Sequence, residues 1–388
     1  MFLKKTIEHN QSLVDISNEL MISKRIRPDT YVVDIDSLIE NAKKMLTEAK
    51  EYKVKLYFML KQLGRNPYIA KKLVSLGYEG AVVVDYKEAE IMMEHNIPIS
   101  HAGHLVQIPR YLMDRLVSYG VGNITVFSVE NARMINDSAK KSNRIQNIFI
   151  KVVDEGDSIY SGQMSGIELE ELLDFSKEIS KFSNIRINGL TVFPAVLFDE
   201  TTLEFEKTHN LDTLKKAKRI LEENGIVIEE LNMPSATCIA SIKKIAEYGG
   251  TSGEPGHGFS GTTPGHSLLD FVEKPCVTYV SEISHHFKGQ SYFYGGGYYR
   301  RGHFENALVM EESGKSQIVS VIPPDLDSID YYFSVNKKVP IGVPVVGAFR
   351  FQVFVTRSDI AIVKGIHGKN VKIIGIYDSL GKEINKYD

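Results

Sequence analysis

The sequence predicts a (β/α)₈ barrel of the TIM type followed by a β-rich C-terminal domain. Up to residue 256, eight short apolar runs alternate with amphipathic segments. After about residue 270, few helical periods remain, and alternating segments are separated by Gly, Pro and Asp. Repeated strand–helix units in that number favour a closed parallel barrel, and the later alternation is typical of antiparallel strands.

The eight predicted barrel strands are short, apolar and rich in Val and Ile, as strands buried on both faces should be. They follow an earlier extended run, "TYVVDID" at 30–36, and a helical stretch from Ser37 to Tyr52. In chain order they are "KLYFMLK" (55–61), "GAVVVD" (80–85), "IPISHAG" (97–103), "NITVFSV" (123–129), "QNIFIKVV" (146–153), "INGLTVF" (187–193), "EELNMPS" (229–235) and "YGGTSGEPG" (248–256).

The segments between these runs, such as "PYIAKKLVSLG" and "LDTLKKAKRILEENG", have apolar residues at three- and four-residue spacing, which predicts amphipathic helices. A doubly wound open sheet is the main alternative. No G-x-G-x-x-G opens an early helix, which weakens the dinucleotide-binding version of that fold. The predicted organisation is an N-terminal helical segment at 1–28, the barrel at 29–270 and the C-terminal β domain at 271–388.

Composition favours a cytoplasmic enzyme or binding protein. The chain has 388 residues, of which 43% are hydrophobic, enough for more than one domain. A formal net charge of −3 gives no sign of a nucleic-acid or membrane-surface partner. The start has no long apolar run after its lysines, and no stretch reaches the length of a membrane span. Two cysteines suit a reducing compartment.

Lys61 lies where the first barrel strand is predicted to end, and barrel enzymes carry their chemistry at such ends. One interpretation is a surface lysine whose stem covers apolar residues while its amine reaches water. The other is a lysine that forms a Schiff base, because desolvation lowers the pKa of the amine and makes it nucleophilic.

Two further strand ends carry candidate binding residues. The eighth run leads into "GTSGEPGHGFSGTTPG" (250–265), whose glycines allow a ligand to approach the backbone. Glu254 within it either faces a cation, such as the protonated ring nitrogen of pyridoxal phosphate, or lies in a solvated turn. The seventh run ends in "NMPSATC" (232–238), whose hydroxyl groups either cap the next helix or bind a phosphate.

Together these segments resemble the fold-type III pyridoxal-phosphate enzymes, the alanine racemase group. The matching features are Lys61 at the first strand end, "GLTVFP", "PSAT" and "EPG". "KQLGRNP", "HAGHLVQIP", "SEISHHF", "YGGGYYRRGH" and "FVTRSD" are most similar to an uncharacterised bacterial branch, the YhfX-like proteins. The resemblance runs nearly end to end. It implies pyridoxal phosphate as cofactor, an amino-acid substrate, and a homodimer in which the C-terminal domain of one subunit closes the active site of the other.

The resemblance also implies roles for individual residues. Lys61 is the Schiff-base partner of the cofactor and the base on one face. Ser235 and Thr237 bind the phosphate together with the backbone N–H groups of Gly256 and His257, and Glu254 faces the pyridine nitrogen. Where alanine racemases carry an arginine near the ring hydroxyl, this chain has "DSIYSGQMSG" (157–166), in which Tyr160 and Gln163 are alternatives.

Two departures from the alanine racemases bear on the reaction. Those enzymes have R-P-G where this chain has E-P-G at Glu254, as decarboxylases of the same fold type do. Glutamate favours a protonated ring, which is a stronger electron sink. The family's usual histidine on the cofactor ring is replaced by Val192, so Phe193 is the candidate for that contact.

A racemase needs a second base on the opposite face, and the resemblance points to a tyrosine of the C-terminal domain. Tyr298 is the first candidate and Tyr299 its neighbour, with Tyr294, His285 and His286 as alternatives. Packing between strands is the competing interpretation for each. The chain has no His-x-Cys or His-x-Asp, so no metal site is predicted. The candidate ligands for a substrate carboxylate are Arg300, Arg301, Arg350 and Arg357.

The leading hypothesis is an amino-acid racemase or epimerase that acts through a Lys61 Schiff base. The alternative is another reaction at Cα, namely decarboxylation, dehydration or aldol cleavage. A non-catalytic pyridoxal-phosphate-binding protein is the third hypothesis, which the C-terminal domain argues against because such proteins resemble the barrel alone.

Overall fold

The structure, a computed structural model, describes residues 1–310, 316–368 and 370–384. Its helices are α1 (Phe2–Ile22), α2 (Ile35–Glu51), α3 (Pro67–Leu76), α4 (Tyr86–Glu94), α5 (Arg110–Tyr119), α6 (Val129–Lys141), α7 (Leu172–Ile179), α8 (His209–Glu223), α9 (Ile239–Glu247) and α10 (His257–Ser260).

The strands of the first part of the chain are β1 (Thr30–Asp34), β2 (Lys55–Met59), β3 (Gly80–Val82), β4 (Ile99–Ala102), β5 (Asn123–Val126), β6 (Gln146–Val153), β7 (Ile167–Glu168), β8 (Ile185–Thr191), β9 (Val196–Asp199), β10 (Glu204–Lys207), β11 (Glu230–Asn232) and β12 (Ser252–Gly253). Those of the second part are β13 (Val277–Phe287), β14 (Gln290–Tyr294), β15 (Asn306–Met310), β16 (Ser316–Ile322), β17 (Tyr332–Val335), β18 (Pro344–Gly347), β19 (Asp359–Lys364), β20 (Lys372–Tyr377) and β21 (Glu383–Ile384).

Eight parallel strands close into a barrel within the compact unit formed by residues 44–60 and 70–256. Around the ring the order is β5, β4, β3, β2, β12, β11, β8 and β6, and β6 pairs again with β5. Each of these strands overlaps one of the eight predicted runs, although β8 begins two residues before its run, so the barrel prediction is confirmed. The two-residue β7 pairs with the end of β6, and β9 and β10 form a separate hairpin.

The apolar pattern explains why these segments form a barrel. Every residue of β3, β4 and β5 is buried, as expected for strands between an inner core and an outer layer of helices. In α8, Leu211, Leu214, Ala217 and Leu221 are fully buried at helical spacing, whereas the other side chains of that helix are largely polar.

The second compact unit comprises residues 1–43, 61–69 and 257–388, of which the structure describes those within the ranges given above. Here β14, β17, β16, β15, β18 and β13 form a ring of neighbouring strands, because β13 also pairs with β14. From β13 the sheet continues through β1, β19, β20 and β21. The predicted β-rich C-terminal domain is therefore confirmed.

β1 belongs to this second unit. It pairs antiparallel with β13 and parallel with β19, although the predicted domain limits group it with the barrel. Those limits stay a prediction. The sheet is lined by α1, whose Leu13 and Leu20 share an apolar cluster with Val32, Val280 and Ala361. Among the described residues, no helix is both long enough and apolar enough to cross a membrane.

Candidate functional site

A buried carboxylate lies at the C-terminal end of the eighth barrel strand. Glu254 follows β12 directly and is 5% exposed. Its Oε1 atom lies 2.7 Å from Nδ1 of His101, and Nε2 of the same imidazole lies 2.6 Å from Oγ1 of Thr125. Because a carboxylate only accepts hydrogen bonds, Nδ1 of His101 carries the hydrogen. Three barrel strands thereby fix the position of Glu254.

The second oxygen of Glu254, Oε2, is buried and has no hydrogen-bond partner among the described residues. Burying a charged oxygen without a donor is costly, and native proteins seldom leave such atoms unsatisfied. A cationic N–H group placed there would satisfy this oxygen. The donor requirement of Glu254 therefore fits the protonated ring nitrogen of pyridoxal phosphate.

The loop after the seventh barrel strand has strained backbone. Ser235 has φ 146° and Ala236 has φ 42°, a region that residues with a side chain rarely adopt. The hydroxyl of Ser235 donates to the carbonyl of Val196 at 2.6 Å. Oγ1 of Thr237 accepts from the backbone N–H of Glu254 at 3.1 Å. Both predicted phosphate ligands thus lie at this strand end, where their hydroxyls already hold neighbouring backbone.

Phe193 lies at the end of the sixth barrel strand among other aromatic rings. Its ring centroid is 6.0 Å from that of His104 and 5.6 Å from that of Tyr160. Val192, the departure from the family pattern, is fully buried. The histidine beside Phe193 is His104, which lies in the loop after β4 and does not occupy the position of Val192.

Lys151 lies in the fifth barrel strand and is 5% exposed, and no sequence pattern distinguishes it from the other residues of that strand. Its Nζ atom lies 2.6 Å from Oγ of Ser165 and 3.5 Å from the carbonyl oxygen of Gln163. Burial lowers the pKa of its amine to about 8. The same loop carries Tyr160 and Gln163, the two alternatives for the family's arginine.

In the second unit, Lys61 opens a single helical turn that follows β2. His257 opens α10, is 7% exposed, and accepts from Nε2 of Gln352 at 3.3 Å through its own Nε2. The pKa of His257 lies well below its usual range because of burial first, and then because of the positive charges of Arg350 and Lys61. His257 is therefore a neutral imidazole at physiological pH, and the positive charges of Arg350 and Lys61 both contribute to its low pKa.

A backbone hydrogen bond joins the ends of the first and eighth strands within the barrel unit. The N–H of Met59, the last residue of β2, donates to the carbonyl of Pro255 at 2.9 Å. Lys61 is the second residue after Met59 in the sequence, and Gly256 and His257 directly follow Pro255.

Tyr298 packs within its own unit. Its hydroxyl accepts from the backbone N–H of Phe304 at 3.0 Å, and its ring lies 5.6 Å from Phe333. Burial raises the pKa of Tyr298, so its hydroxyl is protonated at neutral pH. Its role as second base stays a prediction.

The other candidates of the C-terminal domain differ in their contacts. His285 stacks on Tyr292 with ring centroids 4.8 Å apart, and Nε2 of His286 lies 2.6 Å from the carbonyl of Val339. Tyr294 is 39% exposed. Arg300 contacts the Asp330 carboxylate at 2.9 Å, and Arg357 donates to the carbonyl of Asp330 at 2.9 Å. Arg300 and Arg357 thus both bind the loop that contains Asp330, whereas the charge of Arg350 lowers the pKa of His257.

Comparison with known proteins agrees with this geometry. The family model "Alanine racemase, N-terminal domain" matches residues 33–264, and "YhfX-like, C-terminal domain" matches residues 278–373. The chain is 43% identical to the Escherichia coli (strain K12) protein YhfX over 385 residues, which are 99% of this chain and all of that protein.

Two solved structures show the same fold. Alanine racemase from Clostridium difficile 630 has a TM-score of 0.63 and 17% identity, covering 91% of this chain and 99% of its own. D-threonine aldolase from Filomicrobium marinum has a TM-score of 0.64 and 14% identity, covering 92% of this chain and 95% of its own. The barrel, its strand-end residues and these matches lead to one conclusion: the chain belongs to the alanine racemase N-terminal domain family and carries a YhfX-like C-terminal domain.

Proposed function

We propose that this protein is a pyridoxal-phosphate-dependent enzyme that acts at the Cα of an amino acid, as a racemase or epimerase. The observation that carries the proposal is the buried Oε2 of Glu254, which lacks a donor among the described residues while Oε1 is held by His101. Alanine racemase among the solved relatives supports the racemase assignment. A homodimer in the cytoplasm is part of the same proposal.

Each predicted residue has a defined task in this proposal. Lys61 would hold the cofactor through its amine, and Glu254 would keep the ring nitrogen protonated. Ser235, Thr237 and the backbone around Gly256 would hold the phosphate, with Phe193 against the ring. The chemistry supplied by bound pyridoxal phosphate is withdrawal of electrons from Cα.

The proton at Cα would be moved by two groups. Lys61 would take it on one face as a general base. Tyr298, protonated at neutral pH, would deliver a proton to the other face.

A second candidate function is a lyase reaction at Cα or Cβ, by decarboxylation, dehydration or aldol cleavage. Glu254 favours it, because a protonated ring is a strong electron sink that a simple racemase does not need. D-threonine aldolase has the same fold.

The test is the absorbance spectrum of the protein purified with pyridoxal phosphate, before and after borohydride reduction. We expect a band near the visible edge that reduction fixes onto Lys61. Lys61→Ala should lose the band, and Lys71→Ala, an exposed lysine of α3, is the matched control. A colourless protein that the cofactor does not restore would refute the proposal.

The reaction type is decided by amino acids added in D₂O. Deuterium at Cα with loss of optical activity indicates racemisation, and appearance of an amine, an oxo acid or an aldehyde indicates a lyase. Tyr298→Phe should slow racemisation and leave the spectrum of the bound cofactor unchanged.

A further inference from the structure

Lys151 is a buried cation at the mouth of the barrel that the proposed reaction leaves unexplained. It lies two residues beyond Phe149 on β6, so the two side chains share one face of the strand. The Phe149 ring lies 5.0 Å from the ring of His101, the partner of Glu254. Lys151 therefore faces the barrel interior, nearer than Phe149 to the C-terminal end where barrel sites form.

The amine of Lys151 is held by neutral oxygens. The hydroxyl of Ser165 donates to the carbonyl of Gln163 at 3.2 Å, so the Ser165 oxygen is left to accept from the lysine at 2.6 Å. The Gln163 carbonyl is a longer contact at 3.5 Å. The aromatic ring of Phe127 lies 6.0 Å from Nζ.

No charged group in the described part of the chain compensates the burial of this amine: desolvation is the one cause that lowers its pKa. Residues 44–256 are described without a gap, and among them only two lysines or arginines are buried, Lys151 and Arg65. A lysine that merely filled space would extend its amine to water. An ammonium group kept in the interior without a carboxylate is costly, and an apolar side chain would serve packing better.

The neighbours of Lys151 are suited to an anionic ligand with a polar edge. In the sheet register Lys151 is paired with Thr191, whose hydroxyl donates to Oδ1 of Asn232 at 2.7 Å and lies 3.4 Å from Nδ1 of His104. These groups line the same end of the barrel as Phe193 and Tyr160, since the rings of His104 and Phe193 are in contact.

We propose that Lys151 binds the carboxylate of the amino-acid substrate, with Ser165 as the residue that positions its amine. The inference rests on the proposed function, because an amino acid held through its nitrogen brings its carboxylate to the site with it. An ionic contact of this kind, formed away from water, selects amino acids over the corresponding amines. The ring oxygen of the cofactor has similar chemistry and is distinguished by the test.

The test uses the cofactor-loaded full chain and its Lys151→Met, Lys151→Arg and Ser165→Ala variants. Lys177→Met, an exposed lysine of α7, is the control. The cofactor band is titrated with the proteinogenic amino acids in both enantiomeric forms, and with ethylamine and phenethylamine as the amines that correspond to alanine and phenylalanine. The affinity for pyridoxal phosphate is measured separately.

We expect Lys151→Met to raise the apparent Kd of the best-bound amino acid by more than about tenfold. Its affinity for the amines and for pyridoxal phosphate should stay within about twofold, and Lys151→Arg should restore part of the loss. Ser165→Ala should raise Kd less, because the charge remains. Unchanged amino-acid binding in Lys151→Met would overturn the inference alone. A loss confined to cofactor affinity would overturn it in favour of the ring oxygen. If the wild type responds to no amino acid, the proposed function itself is overturned, and this inference with it.

Discussion

Removing the Lys151 amine should make the cofactor-free protein more stable. Folding lowers the pKa of this amine from 10.5 to about 8. At about 1.36 kcal/mol per pKa unit, burying the charged form costs about 3 kcal/mol of folding free energy at neutral pH. Methionine has a similar length and no charge, and the hydrogen bond from the charged amine to Ser165 that it loses is worth about 2 kcal/mol. Lys151→Met should therefore gain about 1 kcal/mol at pH 7.

The gain has a defined dependence on pH. Because the folded pKa lies below the unfolded one, folding penalises the charged form. The penalty is complete below pH 8 and disappears as pH rises to about 10.5, where the amine is neutral in both states. Urea unfolding of wild type and Lys151→Met at pH 7 and pH 10 measures this. A variant less stable than the wild type at pH 7, or a difference that does not change with pH, would refute the reasoning.

Three further predictions concern other parts of the chain. In the cofactor-loaded enzyme, Glu254→Gln should slow exchange of the Cα hydrogen with D₂O by about a hundredfold or more, because an amide cannot keep the ring nitrogen protonated; equal rates contradict this. Burial raises the pKa of Asp29 from 3.8 to about 6, so folding penalises its ionised form, and the free energy of unfolding should fall as pH rises from about 4 to about 6. Asp29→Asn should lose that slope in urea unfolding, and a retained slope would assign it to another group. Gly64 has φ 62°, and an added Cβ would overlap the Ile360 side chain, so Gly64→Ala should cost about 2 kcal/mol in thermal unfolding; an unchanged melting temperature would show that Ile360 moves aside easily.

The barrel could be predicted because its signal is local. Most of its strands are short apolar runs between helical periods, and the residues that follow a strand can be read directly from the sequence. Lys61 is a candidate because it closes the apolar run "KLYFMLK", and Glu254 is a candidate because it is an acidic residue within a glycine-rich segment.

Other parts of the site became apparent only through three-dimensional contacts. Lys151 lies inside the run "QNIFIKVV", and nothing in the run shows which way its amine points. His101 lies in "HAGHLVQIP", and its hydrogen bond to Glu254 joins residues 153 positions apart in the chain. The same holds for β1, whose partners in β13 and β19 lie at the far end of the chain. A sequence pattern indicates burial and the periodicity of apolar residues along the chain, but it does not indicate which distant segments pair with each other.

The position of β1 imposes an order on synthesis. This strand emerges from the ribosome before any barrel strand, whereas its neighbours in the sheet begin at Val277 and Asp359. At about 5–20 residues per second, β1 waits on the order of 10–50 s for β13. All five of its residues are buried in the finished sheet, so during that interval an apolar strand with two unpaired edges is open to the wrong partner. A translation product that ends after the barrel would contain this strand without its partner strands. A fragment designed to contain the barrel alone should therefore begin after residue 43.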